Sequence, residues 1–109
     1  MIPIRTYNMI PFCLLQYGYR MSKVAANMVS RSLAAELRER GVVVVCLHPG
    51  AVHTDLYHQY HAGVQTTDTA RPAPLTPQQS VSGMLAVVEQ SDLSTSGTFY
   101  TYDGKVLPW

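Results

Sequence analysis

Two residues that could exchange a proton lie one helical turn apart near the start of the chain. In YGYRMSKVAANM, residues 17–28, Tyr19 precedes Lys23 by four positions, and side chains four apart share one face of a helix. A free phenol is a poor acid or base at neutral pH, and a neighbouring ammonium favours its phenolate. The pair could therefore move a proton to or from a bound carbonyl or alcohol. The spacing alone is weak evidence, because an exposed structural pair has the same pattern.

A helix must present this pair. Between residues 19 and 40 the apolar side chains recur at steps of three and four, which predicts an amphipathic helix with a buried stripe. Gly41 follows as the expected left-handed stop. The stripe consists of Met21, Val24, Ala25, Met28, Val29, Leu33 and Leu37.

A buried strand is predicted to follow the helix. VVVVCL, residues 42–47, is an apolar run without polar alternation, which is typical of a strand covered on both faces of a parallel sheet. Pro49 and Gly50 end it, since proline lacks an amide donor and glycine permits a sharp turn. A helix followed by such a strand is half of a βαβ unit, and ligands bind at the carboxyl ends of parallel strands.

The rest of the chain contains a loop, a helix and a strand. Residues 55–75 have no clear period and are predicted to form a long loop. Thr76 as N-cap, Pro77 at the first helical position and Gln79 closing a capping box predict a second helix. Its expected buried stripe is formed by Val81, Met84, Leu85 and Val88. GTFYTYDGK predicts a strand over 98–102 and a turn at Asp103-Gly104.

Composition excludes several function classes. The 109 residues are 47% hydrophobic and 14% charged, with a net charge of +1, so we expect one ordinary globular domain. The chain contains no run of basic residues that would predict nucleic-acid binding. No apolar window approaches the roughly 18 residues of a membrane-spanning helix. The N-terminal stretch lacks the pattern of a secretory signal. Cys13 and Cys46 have no metal or redox spacing, which predicts small buried thiols in a reducing, cytoplasmic compartment.

Three separated motifs in one order resemble the short-chain dehydrogenase/reductase family. They are the Tyr-x-x-x-Lys helix YGYRMSKVAANMVSRSLAAEL, the strand that follows it, and the Pro-Gly turn of HPGAVHTDL. Together with the terminal YDGKVLPW, the local sequence of these motifs is most similar to the C-factor-like and carbonyl-reductase-like branch of the family. The resemblance implies an α/β fold in which residues 17–109 form the C-terminal half of a Rossmann-type doubly wound parallel sheet. Residues 1–16 are interpreted as a non-matching N-terminal segment.

The resemblance also assigns roles to individual residues. Tyr19 would be the proton donor and acceptor at the substrate oxygen, and Lys23 would favour its phenolate and hydrogen-bond the nicotinamide ribose. Thr54 would offer its hydroxyl to the cofactor's amide or pyrophosphate. The backbone bordering the nicotinamide would be that of Pro49, Gly50, Ala51 and Val52.

Three further residues receive weaker interpretations. Tyr17 is not followed by a lysine four positions later, so it takes no catalytic role. Asn27 is interpreted as a structural polar contact. The family's catalytic serine is left unassigned, because the surroundings of Thr6, which has its spacing, do not resemble the usual serine-rich strand end.

The same resemblance implies what the chain lacks. A dinucleotide site uses a glycine-rich turn, and the seven glycines here include no G-x-G. We therefore expect a truncated oxidoreductase of the carbonyl reductase or alcohol dehydrogenase type, without the N-terminal nucleotide-binding half. The implied cofactor is NADP or NAD, and the implied substrate is a small carbonyl compound or alcohol. The isolated chain is expected to be marginally stable and inactive.

The sequence is compatible with two other functions. The chain could be a non-catalytic interaction module that pairs with a full-length reductase or with itself through helix 19–40, although the same side chains could instead meet the remainder of their own sheet. A metal site would draw on His48, His53, His58 and His61. No carboxylates or cysteines accompany these histidines, so we predict no metal site.

Overall fold

The computed structural model describes residues 17–55, 57–58 and 73–109. It contains helix α1 (Tyr17–Leu37), a 3₁₀ turn (Arg38–Arg40), strand β1 (Cys46–His48), helix α2 (Pro77–Gln90), and strands β2 (Phe99–Thr101) and β3 (Val106–Leu107). The expectations for residues 1–16 and for most of the 55–75 loop lie outside the described residues, as do those for Thr6, Cys13 and His61. No helix in the described ranges is long and apolar enough to cross a membrane.

The first helix is confirmed, with small changes at its ends. It begins at Tyr17, and its final turn tightens into the 3₁₀ geometry of Arg38–Arg40. Gly41 then adopts φ 72°, and its N–H donates to the carbonyl of Arg38 at 3.1 Å. This left-handed residue ends the helix as expected, since glycine has no Cβ to oppose it.

The prediction for the following strand was wrong in extent and in burial. Regular pairing begins only at Cys46, and no residue of β1 is fully buried. The preceding residues lie beside a turn rather than a strand: Val44 N–H donates to Ser96 Oγ at 3.0 Å, and Gly97 N–H donates to the carbonyl of Val44 at 2.7 Å. These polar groups are therefore satisfied without a strand ladder.

The three strands form one sheet in the order β1-β2-β3. β1 pairs parallel to β2, with Cys46 opposite Phe99, and β2 pairs antiparallel to β3. The predicted strand over 98–102 is confirmed to within one residue at each end, whereas β3 was not predicted. Gly104 adopts φ 83° and donates to the carbonyl of Thr101 at 3.0 Å, which confirms the Asp103-Gly104 turn between β2 and β3.

The second helix begins as predicted. Thr76 Oγ1 accepts a hydrogen bond from Gln79 N–H at 3.2 Å, and Gln79 Oε1 accepts one from Thr76 N–H at 2.9 Å. Pro77 occupies the first turn. The reciprocal bonds satisfy amide groups that a helix start would otherwise leave unpaired.

The predicted apolar stripe is exposed on both helices apart from one half-buried member of each, contrary to prediction. Among the described residues only Ala34 and Ser80 are fully buried. On α1 the side chains of Met21, Val24 and Met28 are 66%, 69% and 62% exposed, and on α2 the stripe is similarly open. An amphipathic pattern identifies the face that burial would stabilise, but it does not supply the surface that covers it.

Helix α1 runs antiparallel to β1. Ala34 lies beside Gly97, where an added Cβ would sit 3.4 Å from the Ala34 side chain, and Gly97 is bonded to Val44. Cys46, two residues after Val44, contacts an earlier turn of α1, since its Sγ lies 3.3 Å from Ser30 Oγ. From Val44 to Cys46, the contact with α1 therefore moves toward the N-terminus of the helix. The first turns of α1 therefore lie toward the carboxyl end of β1.

Candidate functional site

The Tyr19–Lys23 pair forms on the first two turns of α1. Lys23 Nζ lies 5.4 Å from the centroid of the Tyr19 ring, so the ammonium sits over the face of the ring in a cation–π contact. The ring is about half exposed. Tyr17 is two residues away and therefore projects from a different side of the helix.

The pair shares the sheet-facing side of α1. Tyr19, Lys23, Asn27 and Ser30 follow one another at steps of four, four and three, which places them along one face. Asn27 and Ser30 contact β1, because Cys46 Sγ donates to Asn27 Oδ1 at 3.4 Å and lies 3.3 Å from Ser30 Oγ. At 1.5 Å per residue, Lys23 and Tyr19 lie about 6 and 12 Å further along the helix axis. That is the direction in which β1 continues to Pro49.

These contacts settle two smaller predictions. Asn27 makes the structural polar contact that was expected of it. Cys46 is half-buried and hydrogen-bonded to α1, rather than a fully buried apolar thiol.

The Pro49-Gly50 turn has room for no side chain at its second residue. Gly50 adopts φ 81°, and an added Cβ would lie 2.7 Å from Leu75 Cδ1 and 2.9 Å from Tyr102 Cδ1. Its N–H donates to His48 Nδ1 at 2.9 Å. Glycine is therefore required here both by the backbone conformation and by the close approach of two side chains.

Helix α2 holds the Pro49-Gly50 turn through a hydrogen bond and a close backbone approach. Ser80 is 2% exposed, and its hydroxyl donates to the carbonyl of Pro49 at 2.7 Å. One turn along α2, Gly83 lies so close to Tyr102 that an added Cβ would collide with the Tyr102 carbonyl oxygen. Tyr102 is thereby held between α2 and the Pro49-Gly50 turn.

Sequence reasoning did not identify Ser80, Gly83 or Tyr102. One signal was present: Gly83 interrupts a helical pattern, and a glycine inside a helix commonly marks a close packing contact. Ser80 precedes it by three positions on the same side of α2. The spacing does not reveal which segment would approach.

The segment after the turn is held on one edge only. Leu75 N–H donates to the carbonyl of Ala51, and His53 N–H donates to the carbonyl of Leu75, both at 2.8 Å. This is a parallel bridge between Val52 and Leu75. In such a bridge the N–H and C=O of Val52 point away from Leu75. Within the described ranges these two groups make no hydrogen bond.

Thr54 begins a short helical turn. Its Oγ1 accepts a hydrogen bond from Tyr57 N–H at 3.2 Å, and its carbonyl accepts one from His58 N–H at 3.1 Å. The hydroxyl hydrogen of Thr54 has no acceptor among the described residues.

The histidines do not assemble a metal centre in the part of the chain that the structure describes. The rings of His53 and His58 meet edge to face with centroids 4.4 Å apart. No group of three or more histidine, cysteine, aspartate or glutamate side chains there could hold a metal ion.

Two carboxyl groups outside the candidate site have shifted pKa values. The hydroxyl of Thr101 and the ammonium of Lys105 lower the pKa of Asp103, and hydrogen bonds from Ser94 lower the pKa of Asp92. Both carboxylates stabilise turns at the edge of the sheet and take no part in the candidate site.

Comparison with known proteins identifies a matching family profile and similar proteins. A family profile described as short chain dehydrogenase matches residues 13–65. C-signal of Myxococcus xanthus is 43% identical over 93 residues, which cover 85% of this chain and 49% of that protein. The chain thus spans about half the length of this relative.

Two solved structures share the fold. An NADPH-bound carbonyl reductase from chicken fatty liver superposes with TM-score 0.67 and 38% identity, over 84% of this chain and 30% of that one. Carbonyl reductase Sniffer of D. melanogaster gives TM-score 0.68 and 32% identity, over 85% and 33%. These likenesses confirm the α/β, Rossmann-type class over the part that is matched.

Proposed function

Because this chain belongs to the short-chain dehydrogenase family, we propose that it carries the proton-transfer and nicotinamide-facing part of an NAD(P)(H)-dependent oxidoreductase. The reaction interconverts a small carbonyl compound and its alcohol. Tyr19 is the group that exchanges a proton with the substrate oxygen. The observation that carries the proposal is the Lys23 ammonium 5.4 Å from the Tyr19 ring centroid, on the helix face that leads to the end of β1.

The proton step follows from the two side chains. In the reducing direction the Tyr19 hydroxyl donates its proton to the oxygen of the carbonyl as that oxygen gains negative charge. The phenolate that remains is stabilised by the neighbouring Lys23 ammonium. In the oxidising direction the phenolate takes the proton from the alcohol. The nicotinamide, when bound, supplies or accepts the hydride.

The residues after β1 fit a nicotinamide carboxamide. Val52 offers an N–H and a C=O on an edge that no other described group uses, and a carboxamide provides the complementary acceptor and donor. Thr54 has a hydroxyl hydrogen to donate to the carboxamide or to a phosphate oxygen. Gly50, which allows no Cβ, keeps Pro49 and Ala51 in the turn that presents this edge.

We further propose that these 109 residues do not reduce a carbonyl alone. Pyrophosphate binding in this fold uses closely spaced glycines at a helix N-terminus, and the seven glycines of the chain include no pair closer than seven positions. Fluorescence titration of the purified chain with NADPH is expected to show no saturable binding. Saturable binding with NADPH oxidation by a carbonyl substrate would contradict this part of the proposal.

A graft tests the assigned roles independently of that question. Residues 17–109 replace the corresponding segment of a complete short-chain dehydrogenase, and NADPH oxidation is followed with a carbonyl substrate. Tyr19→Phe is expected to lower kcat by about 10² or more, the usual contribution of a positioned proton donor. Lys23→Met should also lower kcat.

Tyr17→Phe is the matched control, since it removes the same hydroxyl from a neighbouring tyrosine. It should leave kcat unchanged. Equal losses in Tyr17→Phe and Tyr19→Phe, or retained activity in Tyr19→Phe, would overturn the assignment.

The outward face of α1 supports a second candidate function, a non-catalytic module that pairs with a full-length reductase. Met21, Val24 and Met28 lie exposed along that face, and burying such side chains stabilises association. Val24→Ser and Met28→Ser should reduce co-purification with a full-length reductase, whereas Gln90→Ser, at the exposed end of α2, should not. No co-purification of the parent chain after mild crosslinking would remove this candidate.

A further inference from the structure

A groove lies at the opposite end of α1 from Tyr19. It has a volume of about 300 Å³ and separates the last turns of the helix from the turn before β2. Its lining residues are Arg31, Ala34, Ala35, Arg38, Ser96 and Gly97. Arg31 is twelve positions beyond Tyr19, about 18 Å along the helix axis. The groove is therefore separate from the candidate active site and does not depend on the proposed function.

Two guanidinium groups border the groove without a carboxylate partner. Within the described ranges the recorded ion pair is Lys105 with Asp103, which involves neither arginine. Arg38 Nη1 donates to the carbonyl of Leu93 at 2.9 Å, and the Arg31 guanidinium lies 5.6 Å from the Trp109 ring centroid. These contacts locate both groups while leaving most of their five N–H donors unused.

The floor of the groove leaves space for a ligand. Ala34, Ala35 and Gly97 contribute no side chain beyond a methyl group. Ser96 Oγ accepts a hydrogen bond from Val44 N–H at 3.0 Å, and its hydroxyl hydrogen has no acceptor among the described residues. The groove thus combines two arginines that form no ion pair with any described residue, a neutral donor and an unfilled volume.

We propose that this groove binds a small ligand bearing two oxyanion groups, phosphate or carboxylate, with one group at Arg31 and the other at Arg38. Arginine presents paired donors that match the two oxygens of either group, and such charge-assisted bonds are stronger than neutral ones. Ser96 adds a donor from the opposite wall. Seven residues separate the arginines, about 10 Å along the axis, which suits a ligand with two anionic groups.

Calorimetry of the full chain with sodium pyrophosphate and with succinate, at constant ionic strength, tests the proposal. Saturable binding of pyrophosphate would assign the phosphate class, and saturable binding of succinate the carboxylate class. Trp109 is the chain's single tryptophan and contacts Arg31, so its fluorescence should change along the same isotherm. Arg38→Gln and Arg31→Gln are each expected to weaken binding by about tenfold or more, the effect of losing a charge-assisted hydrogen bond.

Arg20→Gln is the matched control, because Arg20 is an exposed arginine about 16 Å from Arg31 along the same helix. It should bind both anions as the parent chain does. If Arg38→Gln fails to fold by circular dichroism, Arg31→Gln decides, since among the described residues the Arg31 guanidinium contacts Trp109 alone. Equal weakening in Arg20→Gln, or no saturable binding of either anion, would overturn the proposal.

Discussion

The Pro49-Gly50 turn and the Tyr19–Lys23 pair form the two halves of the candidate active site, and they are held in different ways. The turn is fixed by residues distant in sequence: Ser80 bonds to the carbonyl of Pro49, and Tyr102 lies against Gly50. The pair is positioned by the backbone of α1 and by its own cation–π contact. One half thus depends on tertiary structure and the other on local helical geometry.

This difference has a consequence for chemistry. A proton donor must be held close to its productive position for efficient transfer, yet the Tyr19 ring is about half exposed. The Pro49-Gly50 turn is held by the described tertiary contacts. The Tyr19–Lys23 pair, which the helix alone positions, is expected to become comparably rigid when further surface packs on the first turns of α1. Substitutions at the turn should therefore change stability, whereas those at the pair should change chemistry.

The largest effect is expected from Gly83→Ala. Alanine favours a helix over glycine, but its Cβ at this position would collide with the carbonyl of Tyr102, a backbone atom that cannot easily move. We expect the free energy of unfolding, measured by urea denaturation of the full chain, to fall by about 1–3 kcal/mol.

Gly18→Ala is the matched control for that substitution. Gly18 lies in the first turns of α1, and apart from its own helix backbone no described residue comes within 4 Å of an added Cβ. The same change should here raise stability, by up to about 1 kcal/mol. If the two substitutions shift stability in the same direction, the close approach of Tyr102 to α2 is wrong.

A smaller loss is expected from Ser80→Ala. The change removes the 2.7 Å, partly buried hydrogen bond to the carbonyl of Pro49, a residue that is itself exposed, and a hydrogen bond of this kind contributes about 0.5–1.5 kcal/mol. Thermal and urea unfolding measure it. Ser82→Ala, two positions along α2 and exposed, should change stability by less than about 0.5 kcal/mol. Equal losses at the two serines would show that the bond does not fix the turn.

The features that sequence predicted correctly depend on neighbouring residues. The capping box of Thr76 and Gln79, the left-handed Gly41 and the Asp103-Gly104 turn are each specified within a few positions. The spacing of Tyr19 and Lys23 is of the same kind, since one helical turn suffices to bring the side chains together. Their chemical roles stay predictions.

The features that sequence reasoning missed depend on distant partners. Ser80 and Pro49 are 31 positions apart, and no local pattern links them. The run 42–47 was expected to be a fully buried strand, but its first residues bond to the turn at Ser96 and Gly97 instead of a neighbouring strand. The prediction of a buried stripe on α1 was wrong for the same reason, because the periodicity of a helix identifies its apolar face but not the surface that packs against it.

Thr76→Ala should weaken the turn indirectly. It removes the side-chain acceptor for Gln79 N–H at the start of α2, next to Leu75, which bridges to Val52. The expected loss of unfolding free energy is about 1 kcal/mol. Thr76→Ser keeps the hydroxyl and should retain most of the stability, and a loss in Thr76→Ser equal to that in Thr76→Ala would argue against the cap.

The smallest effect on stability is expected from Lys23→Met, which removes the charge from the half of the site that α1 alone positions. An exposed cation–π contact contributes about 0.5–1 kcal/mol, and methionine retains helix propensity and most of the apolar stem. The unfolding free energy in urea should therefore fall by no more than about that amount, well below the loss in Gly83→Ala. A loss as large as that of Gly83→Ala would mean that Lys23 is part of the tertiary structure, and the contrast between the two halves would fail. A small loss, together with lower kcat in the grafted enzyme, would place the effect of Lys23 on proton transfer at Tyr19 rather than on the fold.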